Sequence, residues 1–248
     1  TYALELRHIT KSFGSIVANQ DVDLSLKKGE ILAVLGENGS GKTTLSRMIM
    51  GFVKPDFGEI LYNGKSLLGL TKAQWRPLRK DVQMIFQNPQ KAFNPRFSVY
   101  ECCAEPIRLY GLASSSQEEQ KIVYEMLDSV GITRDQMNKY PHEISGGQAQ
   151  RVAIVRALAL RPKLLICDEP TSMLDVSVQA QIIDLLKRVN REYNCAMLFI
   201  SHDLDVVRHL CQSVSVMERG VVVDSGLTEE VFAHPESEFT KNLIRAAL

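Results

Sequence analysis

Residues 36–44, Gly36-Glu37-Asn38-Gly39-Ser40-Gly41-Lys42-Thr43-Thr44, carry the spacing G-x-x-x-x-G-K-[ST]. Each residue type in it has a use in holding a phosphate chain. Glycines let backbone N–H groups wrap the oxygens, the Lys42 ammonium balances β/γ-phosphate charge, and Thr43 presents a hydroxyl to Mg2+. The run "ILAVL" precedes this loop and the helix-forming "TTLSRMIMG" follows it, which is the strand–loop–helix setting the chemistry requires. Further on, "LLICDEP" (164–170) ends an apolar run in two carboxylates. Asp168 is placed to enter a Mg2+ shell and Glu169 to take a proton from water. A structural salt bridge is the other use of such a pair, because a charge on a buried strand is rarely left unpaired. "FISHD" (199–203) puts His202 at the end of another apolar run, hence on the same sheet edge, and Gln87 in "MIFQNP" follows a further strand-like run. Taken alone, His202 suits a structural role as well as a ligand role, and Gln87 is a candidate for touching the metal or the attacking water.

A second anion-holding device sits in "ISGGQAQR" (144–151). A serine and two glycines open a helix-like stretch whose first N–H groups suit an anion, yet no phosphate-gripping lysine follows. The chain therefore carries two such devices, of which only the first has its own cation.

The elements that must position these residues are legible as patterns. "ALELRHITKSF" and "DVDLSLKKGE" alternate apolar and polar residues, as strands covered on one face do. "EILAVLG", "KLLICDEP" and "CAMLFISHD" are short continuous apolar runs ending in polar residues, as expected of parallel strands buried on both faces. Helical patterns lie between them: in "VQAQIIDLLKRVNREY", Val178, Ile182, Leu185, Leu186 and Val189 fall on one face, an ordinary core stripe. Residues 88–160 read as a mostly helical subdomain inserted into the sheet core, with Ser116 as the expected N-cap of "QEEQKIVYEMLDSVG". There is no internal repeat and no low-complexity linker.

Composition removes several function classes. Lys+Arg and Asp+Glu both number 29, so no global basic field exists to hold nucleic acid or an anionic membrane. The five cysteines, Cys102, Cys103, Cys167, Cys195 and Cys211, show no CxxC spacing; they are expected to be reduced and mostly buried, which points to the cytosol. No apolar run reaches the ~18 residues of a membrane span, so any membrane must be supplied by a partner. The first residue is Thr1 rather than methionine, so a few leading residues are expected to be missing.

"GENGSGKTT", Gln87, "ISGGQAQR", "LLICDEP", "SMLD" and "SHD", in this order and spacing, resemble the nucleotide-binding subunit of an ATP-binding cassette (ABC) transporter over the whole chain. The resemblance implies an α/β fold: a P-loop NTPase core with a mainly parallel sheet, an antiparallel β subdomain and the inserted helical subdomain, all within one nucleotide-binding domain, 1–248. It implies that Ser145, Gly146, Gly147 and Gln148 act in trans, on the γ-phosphate bound by another subunit's phosphate loop, closing two sites across a head-to-tail dimer. A helix N-terminus carrying serine suits that task. It further implies ATP and Mg2+ as ligands, with Thr43, Gln87 and Asp168 toward the metal, Glu169 as general base, His202 as the residue contacting γ-phosphate and water, Asp175 as the inter-subunit aspartate, Gln87 as the sensor linking nucleotide to membrane partner, and Phe13 as the aromatic stacked on adenine. Core packing is the other use of Phe13.

A finer resemblance, to the ATPases of dipeptide, oligopeptide and nickel importers, rests on "FQNPQKAFNPR", "EPIRLYGL", "YPHEISGGQ", "LDVSVQAQIIDLL" and "HPESEFTKNLI". It implies an ATP-hydrolysing subunit that energises import of a small solute, located on the cytoplasmic face of the membrane. Its expected partners are transmembrane permease subunits, a second ATPase subunit (homodimer or heterodimer) and, indirectly, an external solute-binding protein, with no nucleic acid. The stretch "NPQKAFNPRFSVYECCAEP" would help form the groove for a short helix of the permease. Ile144, Ala149 and Met173 depart from the family's usual leucine, long polar and small residues, and none of them removes a catalytic group. Two other functions share this nucleotide chemistry: a soluble ABC-type ATPase working on nucleic acid or ribosomes, a class that usually carries heptad arms, zinc cysteines or a second cassette, none of which this sequence shows, and an accessory subunit of a non-transport complex.

Overall fold

The structure is a computed structural model that describes residues 1–247; Leu248, the last residue of the expected domain, lies outside them. Two sheets are built from ten strands. β1 (Tyr2–Phe13), β2 (Ile16–Lys27), β4 (Phe57–Tyr62) and β5 (Lys65–Ser66) form an antiparallel sheet in the order β2-β1-β4-β5. β3 (Ile31–Gly36), β6 (Val82–Ile85), β7 (Leu164–Asp168), β8 (Ala196–Ser201), β9 (Ser213–Glu218) and β10 (Val221–Leu227) form the second, in the order β10-β9-β3-β8-β7-β6. All its pairings are parallel except β9–β10.

The continuous apolar runs follow from having two cores. Ile31, Ala33 and Leu35 of β3 enter one core, together with Leu165 and Cys167 of β7 and Met197 and Phe199 of β8. The intervening Leu32 and Val34, Leu164 and Ile166, and Leu198 and Ile200 enter the other, under the antiparallel sheet. A strand whose successive side chains point to opposite faces must be apolar throughout when both faces are covered.

Helices complete the layers: α1 (Lys42–Ile49), α2 (Lys72–Asp81), α3 (Val99–Leu109), α4 (Ser116–Asp128), α5 (Arg134–Met137), α6 (Gly146–Leu158), α7 (Val176–Tyr193), α8 (Leu204–Leu210), α9 (Thr228–Ala233) and α10 (Glu238–Ala246). Between β6 and β7 the chain makes α3 to α6 and two 3₁₀ turns, Pro89–Lys91 and Pro141–Glu143. The expected cap of α4 is corrected by one residue. Ser115, extended at φ −151 and ψ 164, is the N-cap and accepts from the Glu118 N–H, which leaves Ser116 as the first helical residue. Glu118 also closes back on the N–H of Ser114, at 2.7 Å, and so fixes which of three consecutive serines stands at the cap. All five cysteines are free and buried. Burial pushes the thiols up, to about 11 for Cys102 and about 12 for Cys103 and Cys195, so they remain unreactive thiols at neutral pH.

Candidate functional site at the carboxyl edge of the parallel sheet

The register of the second sheet brings distant residues to one edge. Leu35 stands opposite Ser201, Gly36 opposite Met217, and Asp168 opposite Ile200, so the loops leaving β3, β7 and β8 open side by side, where open α/β sheets bind ligands.

The phosphate loop is anchored from beneath by groups that its sequence pattern does not reveal. The Gly220 N–H donates to the Ser40 carbonyl at 3.0 Å, and Gln20 in turn donates to Gly220 at 2.9 Å. Asn19, fully buried, donates its amide to the Gly41 carbonyl at 3.2 Å. Gly41 adopts φ 99, and a Cβ there would lie 2.2 Å from the Ala18 carbonyl oxygen, so only glycine fits. Glu37, Asn38 and Gly39 form the exposed crown of the loop, Ser40 is buried within it, and Thr44 lies in the first turn of α1. The Lys42 ammonium donates to the carbonyls of Gly36 and Glu37 at 2.6 and 2.7 Å and to Ser40 Oγ at 3.4 Å. Burial holds this ammonium below the ordinary lysine value, against the pull of Glu169, Asp168 and Glu37. Among the described residues no carboxylate pairs with it directly, so the loop presents a cation whose anionic partner is still to come.

Thr43 and Asp168 meet at this edge, their oxygens 3.4 Å apart. A hydroxyl and a carboxylate are hard oxygen donors of the kind Mg2+ takes, and Asp168, 2% exposed, has no cationic side chain within ion-pair distance among the described residues. The donor set therefore fits the metal. Burial pushes the Asp168 carboxyl up from its ordinary value. A carboxyl raised in the folded state subtracts stability above its folded pKa, and the loss fades as the pH falls through it. Asp168→Asn should therefore raise the melting temperature of the nucleotide-free protein at pH 8 in EDTA, by about 2–4 °C for each kcal/mol relieved, with the gain shrinking in acid. A lower melting temperature at pH 8 would show that Asp168 is held by a stabilising partner instead.

Glu169 is the centre of the third group. It leaves β7 at φ 48, in the left-handed region that costs a non-glycine residue energy, while its N–H still donates to Ile200 at 2.9 Å. That turn aims a nearly buried carboxylate at the same edge. Gln87 Nε2 donates to Glu169 Oε2 at 3.3 Å, and His202 Nδ1 lies 3.3 Å from the same oxygen. Lys42, Thr43, Asp168, Glu169, Gln87 and His202 are thus gathered from four strand ends.

The remaining site residues stand apart. Phe13, half-exposed at the end of β1, has the Lys11 ammonium 5.1 Å from its ring centroid. Ser145 is the N-cap of α6 in a reciprocal capping box: its Oγ accepts from the Gln148 N–H at 3.1 Å and its own N–H donates to Gln148 Oε1 at 2.9 Å. Gly146 and Gly147 form the first turn of that helix. Asp175 caps α7, accepting from Val178 at 2.9 Å, and is exposed beside Val176. None of the contacts that assemble the Lys42–Glu169 group reaches the signature residues. The expected site residues thus form two groups with separate sets of contacts.

Comparison with known proteins identifies the family. The profile of one family, described as ABC transporter, matches residues 19–172. The oligopeptide transport ATP-binding protein OppF of Escherichia coli (strain K12) is 46% identical over 232 residues, covering 94% of this chain and 70% of that protein. OppD of Mycobacterium tuberculosis (strain ATCC 25618 / H37Rv) is 42% identical over 238 residues, covering 96% of this chain and 39% of that protein. Among solved structures, the dimeric ATP-binding cassette MJ0796 in a post-hydrolysis state bound to ADP and Pi superposes with TM-score 0.83 at 31% identity, covering 91% of this chain and 98% of that one. CbiO1 of Clostridium perfringens, part of the ABC transporter complex cbiONQ, superposes with TM-score 0.78 at 30% identity, covering 100% of this chain and 96% of that one.

Proposed function

The chain belongs to the ABC transporter family and hydrolyses ATP, and on that premise we propose that it energises import, as the peripheral ATPase of an importer for peptides or a similar small solute, working at the cytoplasmic face of the membrane as one half of a two-site dimer. The observation that carries this reading is the separation of the half-sites: the cation, the carboxylates and their partners meet at one sheet edge, while Ser145 opens a helix elsewhere. The reading takes 1–248 as one nucleotide-binding domain with 88–160 as its helical insert. No helix among the described residues is long and apolar enough to cross a membrane; the proposal takes the permease to be a separate partner.

Each site residue has a role in this proposal. The loop N–H groups and Lys42 hold the β- and γ-phosphates, with Phe13 beneath the adenine. Thr43, Asp168 and Gln87 would hold Mg2+, which would neutralise phosphate charge when bound. Glu169 accepts the proton of a water positioned between its carboxylate, Gln87 and His202. Ser145 and the N–H groups of Gly146 and Gly147 face the γ-phosphate of a second subunit, with Gln148 bracing the cap and Asp175 lying at the subunit contact. ATP then binds the associated state more tightly than the separated one, and its hydrolysis releases the dimer.

A cleft of about 300 Å³ between the sheet core and the helical insert is lined by Phe52, Phe86 and Phe93 together with Arg79 and Arg156. It suits a short amphipathic helix of the permease. The relatives are transport proteins, and the soluble and accessory alternatives gain no support from them.

Two experiments test the reading. Ser145→Arg, in a chain that also carries Glu169→Gln, should keep ATP binding in the monomer and abolish the Mg-ATP-driven dimer seen by light scattering; a surviving dimer refutes the cross-subunit site. Glu169→Gln protein with Mg-ATP, captured from native membranes and analysed by mass, should bring down polytopic membrane proteins and a second ATPase. Recovery of ribosomes or a soluble enzyme complex instead overturns the transport assignment.

A further inference from the structure

The loop before Ser145 is tied to the Glu169 corner from two sides. Gln90, in the 3₁₀ turn after Gln87, donates its amide to the Ile144 carbonyl at 3.0 Å and to the Pro141 carbonyl at 3.4 Å. The Ile144 carbonyl belongs to the same peptide unit as the Ser145 N–H, which donates to Gln148 at 2.9 Å. Both ends of one rigid plane are therefore held, and with it the direction of the serine that follows. On the other side, Met173 packs over the first helical turn: a Cβ on Gly146 would lie 3.1 Å from Met173 Sδ, and one on Gly147 3.0 Å from the Met173 carbonyl oxygen. Both ties start at Glu169. Gln90 stands three positions after Gln87, whose amide reaches Glu169, and Met173 follows Ser172, whose N–H and hydroxyl both return to the Glu169 carbonyl.

We propose that Gln90 is a positioning residue for ATP hydrolysis: its amide holds the Ile144–Ser145 peptide to the segment that begins at Gln87, so that the signature loop is offered to a second subunit in an orientation set by the chain's own Glu169 corner. This rests on the cross-subunit role of Ser145 stated above. What the position requires is a hydrogen-bond donor of the right reach. Lysine supplies one, leucine supplies bulk alone, and glutamate would set a third oxygen against two carbonyls.

The test uses the full chain carrying Glu169→Gln with Mg-ATP, measuring dimer affinity by sedimentation and ATP affinity at protein concentrations below association. Gln90→Leu and Gln90→Glu should weaken the dimer about five- to tenfold with monomer ATP affinity unchanged, and Gln90→Lys should stay within about twofold of the parent. In chains that retain Glu169, the leucine and glutamate variants should lower kcat more than they raise KM. A Gln90→Glu chain that dimerises as tightly as its parent, or equal deficits in the leucine and lysine variants, overturns the proposal. The Ser145→Arg control separates the two readings: if it blocks the dimer while Gln90→Glu does not, only the role of Gln90 falls, and if it too dimerises, the cross-subunit site falls first and takes this proposal with it.

Discussion

Glu169→Gln slows steady-state ATP turnover of the chain by about 10²–10⁴-fold while nucleotide binding persists, the loss expected when a positioned general base is removed. The prediction is sharp because the substitution alters so little else. Glutamine keeps the length and planarity of the side chain, the left-handed φ of 48 constrains it as it does glutamate, and the neighbours at 3.3 Å, Gln87 and His202, can each orient toward an amide. What is lost is the capacity to take a proton. Lys42 and the loop N–H groups are untouched, so the affinity for ATP measured by titration should remain near that of the parent. The uncleaved nucleotide should then hold two chains together. Turnover near the parental rate would remove Glu169 from the base role and leave His202, beside the same oxygen, as the candidate to examine. Loss of ATP binding together with turnover would mean that the carboxylate acts in binding rather than in proton transfer.

The extent to which this site could be read from residues alone differs between its parts. The strand ends were legible, because continuous apolar runs in a two-faced sheet end where the polar residues begin, and Asp168, Glu169 and His202 sit at those ends. Their convergence was legible through the parallel sheet that the runs imply. The 3.3 Å contacts about Glu169 were not, since they depend on a backbone turn that no residue type announces. The floor of the phosphate loop was hidden for a related reason. Asn19 falls on the outward phase of the alternation set by Val22, Leu24 and Leu26 and is turned inward by register shifts against β1, and Gly220 belongs to a turn at the far end of the chain; only the folded sheet places both under Gly41 and Ser40. The cap of α4 was missed by one residue because Ser114, Ser115 and Ser116 are chemically equivalent, and the choice among them was made by the Glu118 carboxylate. Gln90 shows the limit of residue-type reasoning most plainly: a glutamine in a loop carries no signal until its amide is seen on the Ile144 carbonyl.

Lys42→Ala should lower ATP affinity by about 10²–10³-fold, the equivalent of losing two charge-assisted hydrogen bonds to phosphate oxygens. The cost should be graded by phosphate number. ATP should lose most and ADP less, while AMP, which has no β- or γ-phosphate for this ammonium to balance, should change little. That gradation distinguishes loss of a phosphate ligand from collapse of the loop. Collapse is a genuine alternative, because the same ammonium ties the Gly36 and Glu37 carbonyls together. Two observations argue against it. Burial holds the lysine below its ordinary value, so its charge is a cost to the nucleotide-free fold. The loop is also anchored independently by Asn19 and Gly220. The melting temperature of the nucleotide-free variant should therefore stay within about 4 °C of the parent, a shift corresponding to roughly 1 kcal/mol in a domain of this size. Arginine should not restore function, because a planar five-donor fork cannot enter a cradle that closes on a point charge. Calorimetry with the three nucleotides decides the matter: equal losses for AMP and ATP would locate the defect in the loop's shape, and unchanged ATP affinity would remove Lys42, and with it the phosphate loop, from the site.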